Sequence, residues 1–237
     1  MWDVADYVRL RTGGDDAALD EIAERGALRG KRVLDLGCGP GRSTRALAER
    51  HGARATGVDA SAEMVAAARA HVPDDVEIVE ARAEGLPFPD GAFDAVVAQF
   101  VVHLLDRPRA FTEARRVLRP GGAFFVKTED PATMEGYWAV PLLPSYLAVE
   151  RSRFPAVDVL ERELRDAGFA SVEIFHRAVP RELSRAEAIE RLRSRAHSTF
   201  GLLPPGELED GIRRAPNVLE DPVRYTLHLV IATARRS

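Results

Sequence analysis

Val33-Leu34-Asp35-Leu36-Gly37-Cys38-Gly39-Pro40-Gly41 is the stretch on which the architecture of this chain turns. Arg32 to Leu36 is β-branched and apolar, the pattern of a buried strand, and the glycines after it end it. Three glycines alternate between that strand and a helix expected from about Arg42 to Arg50, with Ala46 and Leu47 inward. Glycine permits a tight turn and lets a ligand approach the backbone with no Cβ in the way. The helix start after Gly41 offers N–H groups without intrahelical partners. In open α/β sheets such a loop lies outside the carboxyl ends of the strands, where ligands bind.

The neighbouring segments repeat the alternation. Ala55 to Val58 reads as a second strand, and Ser61 as the N-cap of a helix to about Ala70 with Met64, Val65 and Ala68 as its apolar face. Val76–Val79 and Phe93–Ala98 are the third and fourth strands. Pro108 suits the start of a helix carrying Phe111, Ala114 and Leu118, which Pro120-Gly121-Gly122 stops before a fifth strand, Ala123–Lys127. Strands apolar on both faces, alternating with helices, imply a mostly parallel sheet covered on each side, a doubly wound α/β fold.

Beyond residue 129 the pattern changes. Residues 130–153, with Pro131, Pro141 and Pro144, read as neither clean helix nor clean strand. Val157, Leu160, Leu164 and Ala167 mark an amphipathic helix closed by Gly168-Phe169. Val172–Val179 is strand-like, and Ser184-Arg185-Ala186-Glu187 is a capping box opening a helix with Ile189, Leu192 and Ala196 inward. Pro204-Pro205-Gly206 breaks the chain before a short helix from Glu207, and Tyr225–Ala234 is a final strand.

Composition narrows the partners. Among 237 residues, 46 % are hydrophobic and 30 % charged, which excludes disorder as the main state. Lys plus Arg is 33 and Asp plus Glu 37, a net charge of −4, which lacks the basic surplus of a dedicated nucleic-acid binder. Cys38 is the only cysteine, so neither an intrachain disulfide nor a thiolate metal cluster is available. No carboxylate or histidine cluster has metal-ligand spacing, so no metal is expected. The start Met1-Trp2-Asp3-Val4 has no basic-then-apolar signal, and the run Ala95–Leu105 falls far short of the ~20 residues that span a bilayer. A cytoplasmic protein with no membrane partner is expected.

Two ligand classes fit the glycine loop poorly. A dinucleotide fingerprint wants glycine at its sixth position, where Arg42 stands, and a phosphate-cradling loop wants Gly-Lys-Ser/Thr, which is absent. Asp35 ahead of Gly37-Cys38-Gly39-Pro40-Gly41 instead resembles the first motif of class I S-adenosylmethionine-dependent methyltransferases. Gly57-Val58-Asp59-Ala60-Ser61 resembles that family's second-strand motif. Ala83-Glu84-Gly85-Leu86-Pro87-Phe88-Pro89-Asp90-Gly91-Ala92-Phe93-Asp94 resembles its adenine-side loop and fourth strand, and Leu118-Arg119-Pro120-Gly121-Gly122 its turn before the fifth strand. The four are collinear over about residues 31–128, and the nearest group is the small-molecule, ubiquinone-pathway-like type 11 methyltransferases.

The resemblance implies a Rossmann-like, seven-stranded sheet of order 3-2-1-4-5-7-6 with helices on both faces and a helical cap. It implies a single domain, 1–237: an N-terminal lid (1–30, with Trp2, Tyr7 and Arg11), a cofactor-binding core (31–128), and last strands carrying substrate-cap insertions at 129–153 and 184–214. It implies S-adenosylmethionine as cofactor. Gly37, Cys38, Gly39 and Gly41 would lie against its methionine and ribose, and Asp35 would anchor the loop and face the methionine ammonium. Asp59, followed by Ala60, would accept from both ribose hydroxyls. Met64 would lie against adenine, whose edge the Ala83 and Glu84 backbone would read. Arg82 stands where the commoner family pattern has an acid. Gln99, Phe100 and His103 follow the fourth strand, next to where the methyl group should point.

The acceptor side stays open. His103 is either a general base or a histidine packing the site wall. Trp138, Tyr146 and Phe154 either line an apolar substrate pocket or pack a lid, and His197 either reaches the substrate or serves structure. Cys38 reads as a small residue between glycines rather than a nucleophile. The expected activity is methyl transfer to a small molecule, with oxygen as nucleophile, by a monomer or homodimer. The alternatives are a nicotinamide-dependent oxidoreductase and a non-catalytic S-adenosylmethionine-binding protein.

Overall fold

The structure, a computed structural model, describes residues 16–195 and 197–237. Helix α1 (Asp16–Gly26) leads into β1 (Arg32–Leu36), α2 (Arg42–Glu49), β2 (Arg54–Asp59), α3 (Ala62–Arg69), β3 (Glu77–Glu80) and β4 (Phe93–Gln99). A 3-10 turn (Val102–Leu104), α4 (Arg107–Val117) and β5 (Leu118–Glu129) follow. Then come a 3-10 turn (Pro131–Gly136), α5 (Tyr146–Arg153), α6 (Val157–Asp166), β6 (Ser171–Leu183), α7 (Arg185–Arg193), a 3-10 turn (Ser198–Leu202), α8 (Glu207–Val218) and β7 (Val223–Arg235).

The seven strands form one sheet in the order β3-β2-β1-β4-β5-β7-β6, as the family resemblance implies. Strands β1 to β5 pair in parallel. β7 runs antiparallel to β5: Arg236 exchanges backbone bonds with Gly121 and Gly122 at one end, and the Asp130 N–H reaches the His228 carbonyl at the other. Compactness divides the described chain into a larger unit, 16–128, 157–175 and 230–237, and a smaller one, 129–156 and 176–229. The larger unit's core gathers Leu34, Val96, Phe111, Phe124, Leu160 and Leu164. The smaller has its own cluster around Trp138, Leu142, Leu143, Tyr146, Leu192 and Phe200.

Local rules account for most elements. Ser61 Oγ accepts from the Met64 N–H and caps α3, whose Met64, Val65 and Ala68 are all buried. The capping box at Ser184 and Glu187 opens α7, where Leu192 is buried; Ala196 lies outside the described residues. The N-terminal lid residues Trp2, Tyr7 and Arg11 also lie outside the described residues.

Three expectations need correction. Leu118 is not on α4 but begins β5, and Pro120-Gly121-Gly122 lies inside that strand rather than before it. Pro120 disfavours helical backbone at Arg119, Leu118 is already extended, and a register irregularity between Phe93 and Ala95 absorbs the turn. Gly122 must be small there, because a Cβ would stand 2.9 Å from the Arg119 carbonyl oxygen and 3.0 Å from that of Asp94. Second, Tyr146–Arg153 is helical within the segment read as irregular. Its buried residues are Tyr146 and a carboxylate, Glu150, so it shows no apolar stripe. Third, β6 continues through Pro180 to Leu183, which its edge position tolerates.

Candidate active site

The carboxyl ends of the central strands align. Leu36 stands in register with Val58 and Ala98, Asp59 with Glu80, and Gln99 with Lys127. The loops Gly37–Gly41, Ala60–Ser61, Ala81–Gly85 and Phe100–His103 therefore leave the sheet along one edge.

The glycine loop is fixed from below. The N–H groups of Gly37 and Cys38 both donate to the Val58 carbonyl, at 2.8 and 2.9 Å, and the Gly41 N–H donates to Cys38 at 3.1 Å. Gly37 has φ +72° and no room: a Cβ there would stand 2.3 Å from Val101 Cγ2. Gly39 has φ +52° and the opposite surroundings, with nothing within 4 Å of a Cβ. Its N–H donates to Asp59 Oδ2 at 2.9 Å, while the Ser61 N–H donates to Asp59 Oδ1 at 2.9 Å. Asp59 thus ties the loop to the end of β2, and each carboxylate oxygen keeps a further acceptor direction.

Asp35 is buried beneath the loop, and its Oδ2 accepts from Ser43 Oγ at 2.7 Å and Thr44 Oγ1 at 2.6 Å, both in the first turn of α2. Burial pushes its carboxyl up to about 6; the two hydroxyls oppose that shift and the nearby Asp59 charge adds to it. Burial, with Asp35 and Asp59 close by, pushes the Cys38 thiol well above its usual range, which leaves it an inert packing group. Its sulfur fills space beside Gly57, where a Cβ would meet it at 3.0 Å.

Ala60 is exposed, and Met64 and Ala83 are buried. The Glu84 carboxylate accepts from the Asp106 N–H at 3.0 Å and pairs with Arg82 Nε at 3.2 Å, so the side chain fastens its loop to the start of α4. Gln99 ends β4, and His103 sits on the 3-10 turn that follows.

Sequence reasoning missed the clamp on this loop. Glu113 accepts from the Leu86 N–H at 2.8 Å, while Arg116 donates to the carbonyls of Phe88 and Leu86 at 2.8 and 3.0 Å and pairs with Glu113 and Asp90. Their spacing of three on α4 is a usable signal, but nothing local says that both side chains turn to residues 86–90. Ser43 and Thr44, which hold Asp35, were missed as well.

The smaller unit brings Trp138, Tyr146 and His197 into one aromatic cluster. Tyr137 stacks on Tyr146 with centroids 5.3 Å apart, and His197 lies 6.0 Å from Tyr146 and 5.6 Å from Phe200. Trp138 and Tyr146 are buried, as is Phe154. His197 Nδ1 is 3.7 Å from the buried Glu150, whose carboxylate also accepts from Thr199 Oγ1. Burial, the Tyr137 and Glu150 charges and a hydrogen bond with Glu150 hold the Tyr146 hydroxyl well above its usual range.

Comparison with known proteins now bears on the geometry. Residues 34–126 match the family profile described as methyltransferase domain. Over 200 residues the chain is 30 % identical to an O-methyltransferase of Penicillium expansum, spanning 81 % of this chain and 68 % of that protein. The chain belongs to the S-adenosylmethionine-dependent methyltransferases. A demethylmenaquinone methyltransferase of Clavibacter sepedonicus is 36 % identical over 166 residues, 61 % of this chain and 67 % of that protein. Among solved structures, the methyltransferase shares its fold with the YcgJ protein of Bacillus subtilis, at TM-score 0.68 and 21 % identity over 94 % of this chain and 99 % of that one. It also shares it with a phosphoethanolamine N-methyltransferase of Haemonchus contortus solved with S-adenosylhomocysteine, at TM-score 0.64 and 18 % identity over 99 % of this chain and 57 % of that one. The methyl donor of the enzyme is S-adenosylmethionine. The loop fits that group, because the backbone at Gly39 is open where a Cβ would intrude and an acidic side chain stands beside it. Among the described residues no helix is long and apolar enough to cross a membrane.

Proposed function

We propose that this methyltransferase acts on an oxygen of its small-molecule acceptor, with the donor held on the Gly37–Gly41 loop. The observation that carries the reading is the open Gly39 backbone tied to Asp59 at the carboxyl edge of the sheet. In this reading Gly37, Cys38, Gly39 and Gly41 present backbone to the methionine and ribose. Asp59, flanked by Ala60, accepts from the ribose hydroxyls. Asp35 anchors the loop through Ser43 and Thr44 and faces the methionine ammonium. Met64 and the Ala83–Glu84 backbone take the adenine, and Gln99 borders the donor. An oxygen acceptor is supported by the Penicillium relative, which is named an O-methyltransferase.

When bound, S-adenosylmethionine supplies a methyl group on a sulfonium that is already an activated leaving group. The chain's own task is alignment and exclusion of water, worth several kcal/mol of a barrier. An imidazole nitrogen of His103 takes the proton of an acceptor hydroxyl. Trp138, Tyr146 and His197 recognise the acceptor. The chain works as one domain, as a cytoplasmic monomer or homodimer without nucleic-acid or membrane partners. The net charge of −4 supports the exclusion of nucleic acid.

The test is transfer of a labelled methyl group from S-adenosylmethionine to fractionated small-molecule extracts, with tRNA and protein as competing acceptors. Label in an alkali-stable ether of a small molecule is expected. Label confined to tRNA, protein, nitrogen or carbon would overturn the oxygen reading.

A further inference from the structure

Phe100, the residue that follows β4, takes φ +51°. That is the left-handed region, an outlier for a bulky side chain and a conformation that glycine would adopt at no steric cost. Strain of this kind concentrates at sites whose geometry must be held. A phenylalanine kept there points to a task for its ring.

Register shows what the strain achieves. Asp35 pairs with Val97, Val97 with Phe125, and Gln99 with Lys127. Side chains two apart share a face, so Asp35, Gln99 and Lys127 project from one face of the sheet. It is the face of α2, whose Ser43 and Thr44 reach Asp35. In an unbroken strand Phe100 would project from the opposite face. The left-handed turn brings it back, and its ring centroid lies 5.0 Å from Lys127 Nζ. Two contacts fix the turn. The Phe100 N–H donates to the Lys127 carbonyl at 2.8 Å, and the next residue, Val101, fills the space that a Cβ on Gly37 would need. The ring is thus held on the α2 side of the sheet, one residue along the chain from direct contact with the glycine loop.

The segment around it separates anchors from open groups. Val101 and Val102 are buried, Phe100 and His103 are partly exposed, and Leu104 is 60 % exposed. Phe100 and Leu104 therefore offer apolar surface to solvent before and after the imidazole proposed as base. Neither side chain carries a charge or a hydrogen-bonding group, so they select by shape and by ring contact.

We infer that Phe100 is an acceptor-binding residue, and that the acceptor is a planar aromatic hydroxyl compound stacked on its ring. This rests on the proposed donor site and base. A hydroxyl on an aromatic ring lies close to the ring plane. Stacking on a ring whose backbone is fixed beside the donor loop therefore sets the plane in which the nucleophilic oxygen approaches, which is the alignment that methyl transfer requires.

The probes are 2-naphthol and its saturated analogue decahydro-2-naphthol, titrated by calorimetry into protein saturated with S-adenosylhomocysteine. The ratio of the two affinities is the readout. Wild type should prefer 2-naphthol. Phe100→Leu, which keeps an apolar side chain, should lower that preference about three- to tenfold, and Phe100→Tyr should keep it. S-adenosylhomocysteine itself should bind all three proteins equally, which certifies the fold and the donor site. An unchanged ratio in Phe100→Leu would overturn the inference, as would a wild type that binds S-adenosylhomocysteine yet shows no preference for 2-naphthol. Failure of wild type to bind S-adenosylhomocysteine would instead overturn the donor-site reading on which it rests.

Discussion

Alanine at Gly37 and at Gly39 separates what the loop does for folding from what it does for the cofactor. Both glycines have positive φ, so a Cβ costs about 1–2 kcal/mol at either. At Gly39 nothing else is charged to stability, since no atom lies within 4 Å. At Gly37 the new methyl stands 2.3 Å from Val101 Cγ2 and 2.8 Å from its Cβ, and such overpacking adds about 1–3 kcal/mol. Urea unfolding of the apo-proteins should therefore show Gly39→Ala down by about 1–2 kcal/mol and Gly37→Ala by about 2–5 kcal/mol. Titration with S-adenosylhomocysteine should show the reverse emphasis: Gly39→Ala folds and loses most of its affinity, because its methyl occupies the face open to the donor. A folded Gly39→Ala protein with wild-type affinity would refute the cradle. Equal stability losses in the two variants would refute the packing argument at Val101.

Three further outcomes follow from the site. Asp35 is held at about 6 in the folded protein, above its unfolded value of 3.8, so the folded state binds more protons between them. Its contribution to stability is full below the unfolded pKa and is lost as pH rises through about 6. Asp35→Asn should flatten that part of the apo-protein's stability–pH curve, a change on the order of 3 kcal/mol, and an unchanged curve would refute the buried-carboxyl account. Arg116→Ala should cost about 1–2 kcal/mol, discounted because Arg116 is part-exposed, and hydrogen exchange should rise at Leu86; unaltered exchange there would remove the clamp. His103→Ala should lower turnover ~10²–10⁴-fold and remove the acidic limb of the pH–rate profile; an unchanged profile would mean that another group takes the proton.

Legibility followed the range of the interactions. The strand–loop–helix at Arg32–Glu49, the Ser61 and Ser184 caps and the Gly168 stop are set by residues within a turn of one another, and the structure keeps each of them. Strand order is non-local, and it was available only because four motifs occur in a known family's order. Failures arose where tertiary contact overrode local chemistry. Pro120-Gly121-Gly122 reads as a stop, yet pairing with β4 and β7 draws it into β5. Glu150 erased the helical stripe of Tyr146–Arg153 because its burial depends on Thr199, far along the chain. At the site, Gly39 stood out by the spacing of the glycines, and Asp35 and Asp59 through the family resemblance. Arg116 looks like an ordinary member of a helix until the loop it holds is folded beside it.

Calorimetric titration of S-adenosylmethionine into wild type and Asp59→Ala, with NAD as a competing ligand, tests the donor-site claim most directly. The substitution removes the acceptor of the Gly39 and Ser61 N–H groups together with the acid beside the open loop. Wild type should bind S-adenosylmethionine and not NAD, and Asp59→Ala, still folded, should bind it about 2–3 kcal/mol more weakly. Undiminished affinity in a folded Asp59→Ala protein, or tighter binding of NAD by wild type, would contradict the account.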